Sequence, residues 1–331
     1  MQVGFFFWPF DVAVTRNLAA AADRHGYDMV GIADTPGNAM DPWVAATLAA
    51  EATRRARVAL CVTNFVTRHP AVSAAAIASL DRLAPGRAVL GVGVGHSGTR
   101  NLGAASLPAA DLEEGVTFVK ALLRGERASY RGAPAQLPWV TRPSPVFVAA
   151  SHPRSLRAAG AAADGVFVNY GLGADNVAES EGAVVAAARA AGRDPETIER
   201  WQIACLDCHE DGDVARRTIG AILAFVAAYI VGGGDPARRG VPARYREPLL
   251  ELRRRYSTRP GEADAALVRE LGLFDYLAGR LAVCGTPAEC LAQVRAAQAA
   301  GVRRLMFTVS LAADPPRTVA LFGERVLPAL E

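Results

Sequence analysis

The chain has 331 residues, of which 51% are apolar and 21% charged, with a formal net charge of +3. At ~150 residues per domain this length allows about two domains, or one α/β barrel of ~250 residues or more, and the apolar fraction excludes a largely disordered chain. The basic residues form no dense cluster, which argues against a nucleic-acid partner, and no apolar run reaches the ~20 residues that cross a membrane.

Residues 4–8 are apolar, but they lack a basic flank and stop at Asp11, which fits neither a signal peptide nor an anchor, so a cytoplasmic protein is expected. Short β-branched or aromatic runs then alternate with Ala/Leu/Arg stretches of helical spacing. Strands are predicted over 3–8, 29–33, 58–63, 88–94, 146–149, 166–169, 202–206 and 305–309. Helices follow over 12–24, from Asp41-Pro42, over 70–83, 112–123, 287–299 and 316–330. Eight strands with matching helices predict one (β/α)8 TIM barrel over 1–331, with insertions near 97–145 and 210–280, after strands 4 and 7. A doubly wound sheet would place a glycine-rich phosphate turn after the first strand, where this chain has Trp8-Pro9-Phe10-Asp11.

Gly93-Val94-Gly95-His96-Ser97-Gly98 fits a dinucleotide fingerprint but follows the fourth strand. Glycines at 91, 93 and 95 either admit a flat ligand to the strand end or fill the taper of the barrel. Cys205-Leu206-Asp207-Cys208-His209 resembles a haem-attachment run, but the two cysteines point to opposite faces of a strand and read as buried thiols. The five histidines, at 25, 69, 96, 152 and 209, have no metal-ligand spacing, and no metal site is expected. His69 reads as a residue at a helix start or as a ligand contact. His96 and Asp34, just past strands four and two, stand where barrel enzymes carry out chemistry and are the acid/base candidates. Asp34 also reads as a loop cap. Ser151 is expected to cap the helix after the fifth strand, and Asn169 to Gly173 open the next unit; both turns present backbone N–H groups suited to phosphate.

The run from Asp41-Pro42 to Gly95 carries Val62-Thr63-Asn64, Arg68-His69-Pro70-Ala71-Val72, Ala76 to Asp81 and Gly86 to Gly95. With Ala163-Asp164-Gly165, Gly285-Thr286-Pro287-Ala288-Glu289 and Ala300-Gly301-Val302, it resembles the bacterial luciferase-like oxidoreductases, most of all the methylenetetrahydromethanopterin reductase branch. The resemblance implies a flavin or 5-deazaflavin over the strand C-terminal ends and a non-prolyl cis peptide at Cys61–Val62 behind its ring. It further implies Asn64 at the pyrimidine edge, Gly95 and His96 flanking the ring, and Ser151, Asn169 and Gly171 near the phosphate arm. The chain departs from the F420 members at Thr35, where they carry histidine, and at His96, where they are acidic. Arg154 or Arg280 would take the place of phosphate-binding lysines.

The expected activity is hydride transfer between coenzyme F420 and a small organic substrate, with Trp8 and Trp43 as pocket walls and a glycine-hinged lid over 230–278. The alternatives are an FMN-dependent monooxygenase supplied with reduced cofactor by a flavin or F420 reductase, and a non-catalytic cofactor-binding barrel. The apolar stretch 219–231 suits either a homodimer interface or an internal stripe.

Overall fold

The computed structural model describes residues 1–230, 235–257 and 264–330. Its parallel strands are β1 (Gln2–Phe7), β2 (Met29–Ile32), β3 (Arg57–Asn64), β4 (Ala88–Gly93), β7 (Val146–Ala150), β8 (Gly165–Val168), β9 (Glu199–Cys208), β10 (Ala282–Gly285) and β11 (Arg304–Thr308), and β5 (Ala128–Tyr130) and β6 (Ala133–Ala135) form a separate hairpin. Neighbours run β11-β1-β2-β3-β4-β7-β8-β9, and β9 returns to β11, so eight parallel strands close a barrel. The eight predicted strands are these eight. The extra strand β10 lies along the upper half of β9, with Ala282 opposite Cys205.

Helices α1 (Val12–His25), α2 (Pro42–Ala52), α3 (Pro70–Leu83), α4 (Ser97–Arg100), α5 (Ala109–Leu123), α6 (Pro153–Ala162) and α7 (Ala174–Ala190) follow in order. Helices α8 (Gly212–Thr218), α9 (Gly220–Ile230), α10 (Ala243–Arg255), α11 (Leu267–Glu270) and α12 (Phe274–Leu281) fill the insertion after β9, and α13 (Pro287–Ala299) and α14 (Pro315–Arg325) complete the chain. Several of their starts follow from side chains that accept otherwise orphaned N–H groups. Asp41 Oδ1 accepts from Trp43 N and Val44 N at 2.9 and 3.1 Å, with Pro42 in the first turn. His69 Nδ1 does the same for Ala71 N at 3.2 Å, so its ring serves the start of α3. The expected Ser151 cap is corrected: His152 is the N-cap of α6, and Ser155 Oγ accepts from both Ser151 N and His152 N.

The barrel interior is filled by Met29, Ala59, Cys61, Val89, Phe147, Phe167, Trp201, Ile203 and Met306. At its floor Arg57 pairs with Glu199 at 2.9 Å, Glu199 also accepts from Trp201 Nε1 at 3.0 Å, and the guanidinium lies over Phe147. The floor is thereby closed, which leaves the strand C-terminal ends as the open face. Over that face, Ile219, just before α9, and Leu223 and Ala227 on it are fully buried with Leu252, Val268 and Leu277. The apolar stretch is therefore internal to the chain where it is described. Val231 and the three glycines at 232–234, on which the expected lid motion rests, lie outside the described residues. Cys205 and Cys208 join different apolar clusters, as expected for opposite strand faces. No described helix is long and apolar enough to cross a membrane.

Strands β3 and β4 approach closely. A Cβ on Gly91 would lie 2.1 Å from Leu60 O, whereas one on Gly93 would meet side chains alone, Val62 Cγ2 at 3.1 Å and Ala149 Cβ at 3.6 Å. Packing thus accounts for Gly91. Gly91→Ala is expected to lower unfolding stability by about 1–3 kcal/mol and Gly93→Ala by less, as read from urea unfolding midpoints; equal losses would refute the close contact.

Candidate functional site

The β3–β4 pairing shifts register between Leu60 and Thr63, and the Cys61–Val62 peptide within that shift is cis. Beyond it, Thr63 Oγ1 donates to Asp34 Oδ2 at 2.7 Å. Burial raises the Asp34 carboxyl pKa, and the Thr63 hydrogen bond opposes that rise. Asn64 is 2% exposed, and its Oδ1 accepts from Val66 N and Thr67 N at 3.0 and 2.9 Å, so half of its amide organises the loop after β3. Gly95 has φ +79°, and a Cβ there would meet Thr99 Cγ2 at 2.4 Å, so the turn after β4 requires glycine. The short helix α4 starts next to it. Ser97 Oγ lies 3.0 Å from Thr35 Oγ1, and Gly98 packs against Asp34 O. Asp34, Thr63, Asn64, Gly95 and His96 are thus gathered around the ends of β2, β3 and β4. His96 is half-buried, and its pKa is lowered by burial first and then by Arg100 and Arg239.

The second half of the site is built by β7, β8 and the insertion. Ser151 and His152 follow β7, and Asn169 and Tyr170 follow β8. Arg239, from the insertion, donates from Nη1 to Ser151 O at 3.2 Å, and its Nη2 lies 3.3 Å from His152 Nε2. Its guanidinium pKa is lowered to about 10 by burial. Arg280 on α12 donates to Tyr170 O at 3.2 and 3.3 Å, to Tyr276 Oη at 2.8 Å and to Arg239 O at 3.1 Å. Arg280 therefore ties the insertion to the barrel, while the other expected phosphate arginine, Arg154, is exposed in the first turn of α6. Gly171 has φ +121°, and a Cβ there would meet Arg280 Cγ at 2.9 Å. Asn169 Oδ1 and His152 Nδ1 are buried with no hydrogen-bond partner.

Trp8 is 5% exposed and stands edge-on to Phe10 and to Phe225 of α9, with centroids 6.0 and 5.1 Å apart, which seats the insertion over β1. Trp43 lies under the Arg68 guanidinium, 5.2 Å from its ring centroid, and its buried Nε1 has no partner. Sequence reasoning did not single out Thr63, His152 or Arg239 as site residues. Thr63 was legible as part of a strand and of the Val62-Thr63-Asn64 run, and Arg239 stands 87 residues from the histidine that it meets.

The His152 pKa is lowered to about 4 by burial and then by Arg239, His96 and Arg154. Its unfolded value is ~6.5, so between these values the unfolded chain binds the extra proton. The stability this gives the folded state is complete above pH ~6.5 and falls as the pH drops towards about 4. Thermal midpoints from pH 7 to 4 should therefore fall more steeply for the native protein than for His152→Asn; parallel curves would refute the shift.

The luciferase-like monooxygenase family matches residues 7–304. The chain is 27% identical to 5,10-methylenetetrahydromethanopterin reductase of Methanolobus tindarius over 346 aligned residues, which cover 99% of this chain and 100% of that one. It is 30% identical to F420-dependent glucose-6-phosphate dehydrogenase of Kineococcus radiotolerans, covering 95% of this chain and 92% of that one. Among solved structures, coenzyme F420 dependent tetrahydromethanopterin reductase of Methanopyrus kandleri shares the fold, with a TM-score of 0.79 at 22% identity over 100% of this chain and 99% of that one. Since the family match runs from the end of β1 to the start of β11 and the barrel closes around the same strands, the chain belongs to the luciferase-like monooxygenase family.

Proposed function

We propose that the protein is an F420-dependent oxidoreductase acting on a small organic substrate at the strand C-terminal face. The observation that carries this reading is end-to-end similarity to the two F420 enzymes above. The residues present fit such a group. Gly93 and Gly95 leave the end of β4 without side chains, and Val62 projects beside Gly93. Asn169 Oδ1, buried and unpartnered, can accept a hydrogen bond from a bound molecule. Cys61, Val62 and Asn64 would hold the ring from β3, Gly95 from β4, and Ser151, Asn169 and Gly171 would hold the arm.

When bound, the deazaflavin supplies the hydride chemistry, and the protein supplies position, electrostatics and water exclusion. His96, with its pKa lowered, is neutral at pH 7 and has the lone pair to take a proton from a substrate hydroxyl, or returns that proton in the reverse direction. Thr63 fixes the Asp34 carboxylate, which orients substrate or ring. Trp8 and Trp43 wall the pocket, and the insertion over Trp8 excludes water. An FMN-dependent monooxygenase, with reduced cofactor delivered by a separate reductase, is the second reading, favoured by the family's own description.

Fluorescence titration of the purified protein with F420 and with FMN separates the two readings. Tight F420 and weak FMN binding are expected; the reverse order would move the protein to the monooxygenase reading, tested by oxygen uptake. His96→Ala should lower turnover by about 10²-fold or more with little change in cofactor affinity, and unchanged turnover would remove His96 from the mechanism.

A further inference from the structure

The acid/base candidates Asp34 and His96 stand on two loops that meet across the end of β3, and the meeting point is the short helix α4. Four residues make barely one helical turn, and a single turn has little stability of its own, because it fixes several residues for very few hydrogen bonds. Arg100 N donates to His96 O at 2.9 Å, and Thr99 Oγ1 donates to the same oxygen at 3.3 Å, so the His96 backbone is part of that turn. Three contacts fasten the turn to the loop after β2. Thr35, next to Asp34, and Ser97, next to His96, are 2% and 8% exposed, and their hydroxyl oxygens lie 3.0 Å apart. Asn101 Nδ2 donates to Asn38 Oδ1 at 3.0 Å between the same two segments. A Cβ on Gly98 would stand 2.9 Å from Asp34 O, so the turn lies directly on the Asp34 backbone.

A buried hydroxyl that loses its partner is costly, so each member of the Thr35–Ser97 pair resists movement of the other. Ser97 adjoins His96 in the same turn, and a shift of one carries the other with it. We propose that Thr35 and Ser97 form a clamp that fixes His96 relative to Asp34, which makes both of them positioning residues. The inference rests on the oxidoreductase reading only in naming Asp34 and His96 as the proton-handling pair. The His96 ring is half-buried, and the charged or titratable groups that act on it are Arg100 of the same turn, Arg239 of the insertion and His152 after β7. The clamp keeps the ring in that environment, and its release turns the ring towards water.

The titration of His96 tests the clamp without cofactor or substrate. It is read from imidazole NMR spectra of the whole protein, with His96→Gln identifying the signal among five histidines. Burial comes first among the causes that lower the His96 pKa, so a ring released into water should titrate closer to ~6.5. Thr35→Val and Ser97→Ala are each expected to raise the pKa and to quicken amide exchange across α4 about tenfold, whereas Thr35→Ser is expected to keep the native pKa. The double variant Thr35→Val/Ser97→Ala strands no hydroxyl, so stability lost in the single variants should return while the pKa stays raised. A native pKa in every variant would overturn the proposal. So would a pKa that returns to native in the double variant together with the stability, because the pair would then serve packing alone. Should a single variant fail to fold, the double variant decides on the same reading. Failure of both F420 and FMN to bind, with the pKa raised in the clamp variants, would undo the cofactor reading and leave the clamp standing.

Discussion

The approach of β3 to β4 governs the site. With Leu60 O lying where a Cβ of residue 91 would stand, the two strands pack more closely than side chains allow, and the ladder resumes in register only at Thr63. Side chains alternate along a strand, so a shift at this point decides which residues face the open end. It brings Thr63 onto Asp34 and places Asn64 over the following loop, whose backbone its amide then holds. The turn after β4, with Gly95 in the left-handed region, carries His96 to the same end. The acid/base candidates thus stand at the ends of neighbouring strands, β2 and β4, on either side of β3.

Electrostatics complete the arrangement. The floor of the barrel has its own neutralised pair in Arg57 and Glu199, whereas the hydrogen bonds of Arg280 at the open face run to neutral oxygens. Burial together with neighbouring positive charge keeps His96 and His152 below their usual pKa. Both effects favour the neutral ring over the imidazolium. Asp34 moves the other way, because burial disfavours a carboxylate as it does an imidazolium. The insertion contributes to this balance through Arg239, and Arg280 fixes the Arg239 backbone against Tyr170.

Much of the fold was legible locally. The eight barrel strands follow from β-branched and aromatic runs, and the starts of α2 and α3 from Asp41-Pro42 and His69-Pro70, because capping and proline chemistry act over a few residues. The hairpin of β5 and β6 was not legible, since three-residue strands have too little pattern. The strand β10 was hidden because it is short and its partner, the upper half of β9, is distant in sequence. At α6 a serine before a histidine and proline looked like the cap; the chain instead enters the helix one residue later, and Ser155 reaches back. Asp34 and His96 could be named as candidates from their places just past strands, and Asn64 and Gly95 from the family resemblance, but the hydrogen bonds of Asp34 to Thr63 and of Asn64 to its own loop could not.

By itself the sequence determined the alternation of strands and helices, hence the barrel. Those features depend on periodicity and on capping within a few residues. Only the tertiary structure decided that half of the Asn64 amide is committed to its own loop, that the stretch beginning at Ile219 is internal, and that Arg239 meets His152. These outcomes turn on which distant surfaces touch and which polar atoms lose water when they do. Burial and pairing of that kind belong to the packed molecule, and no local pattern encodes them.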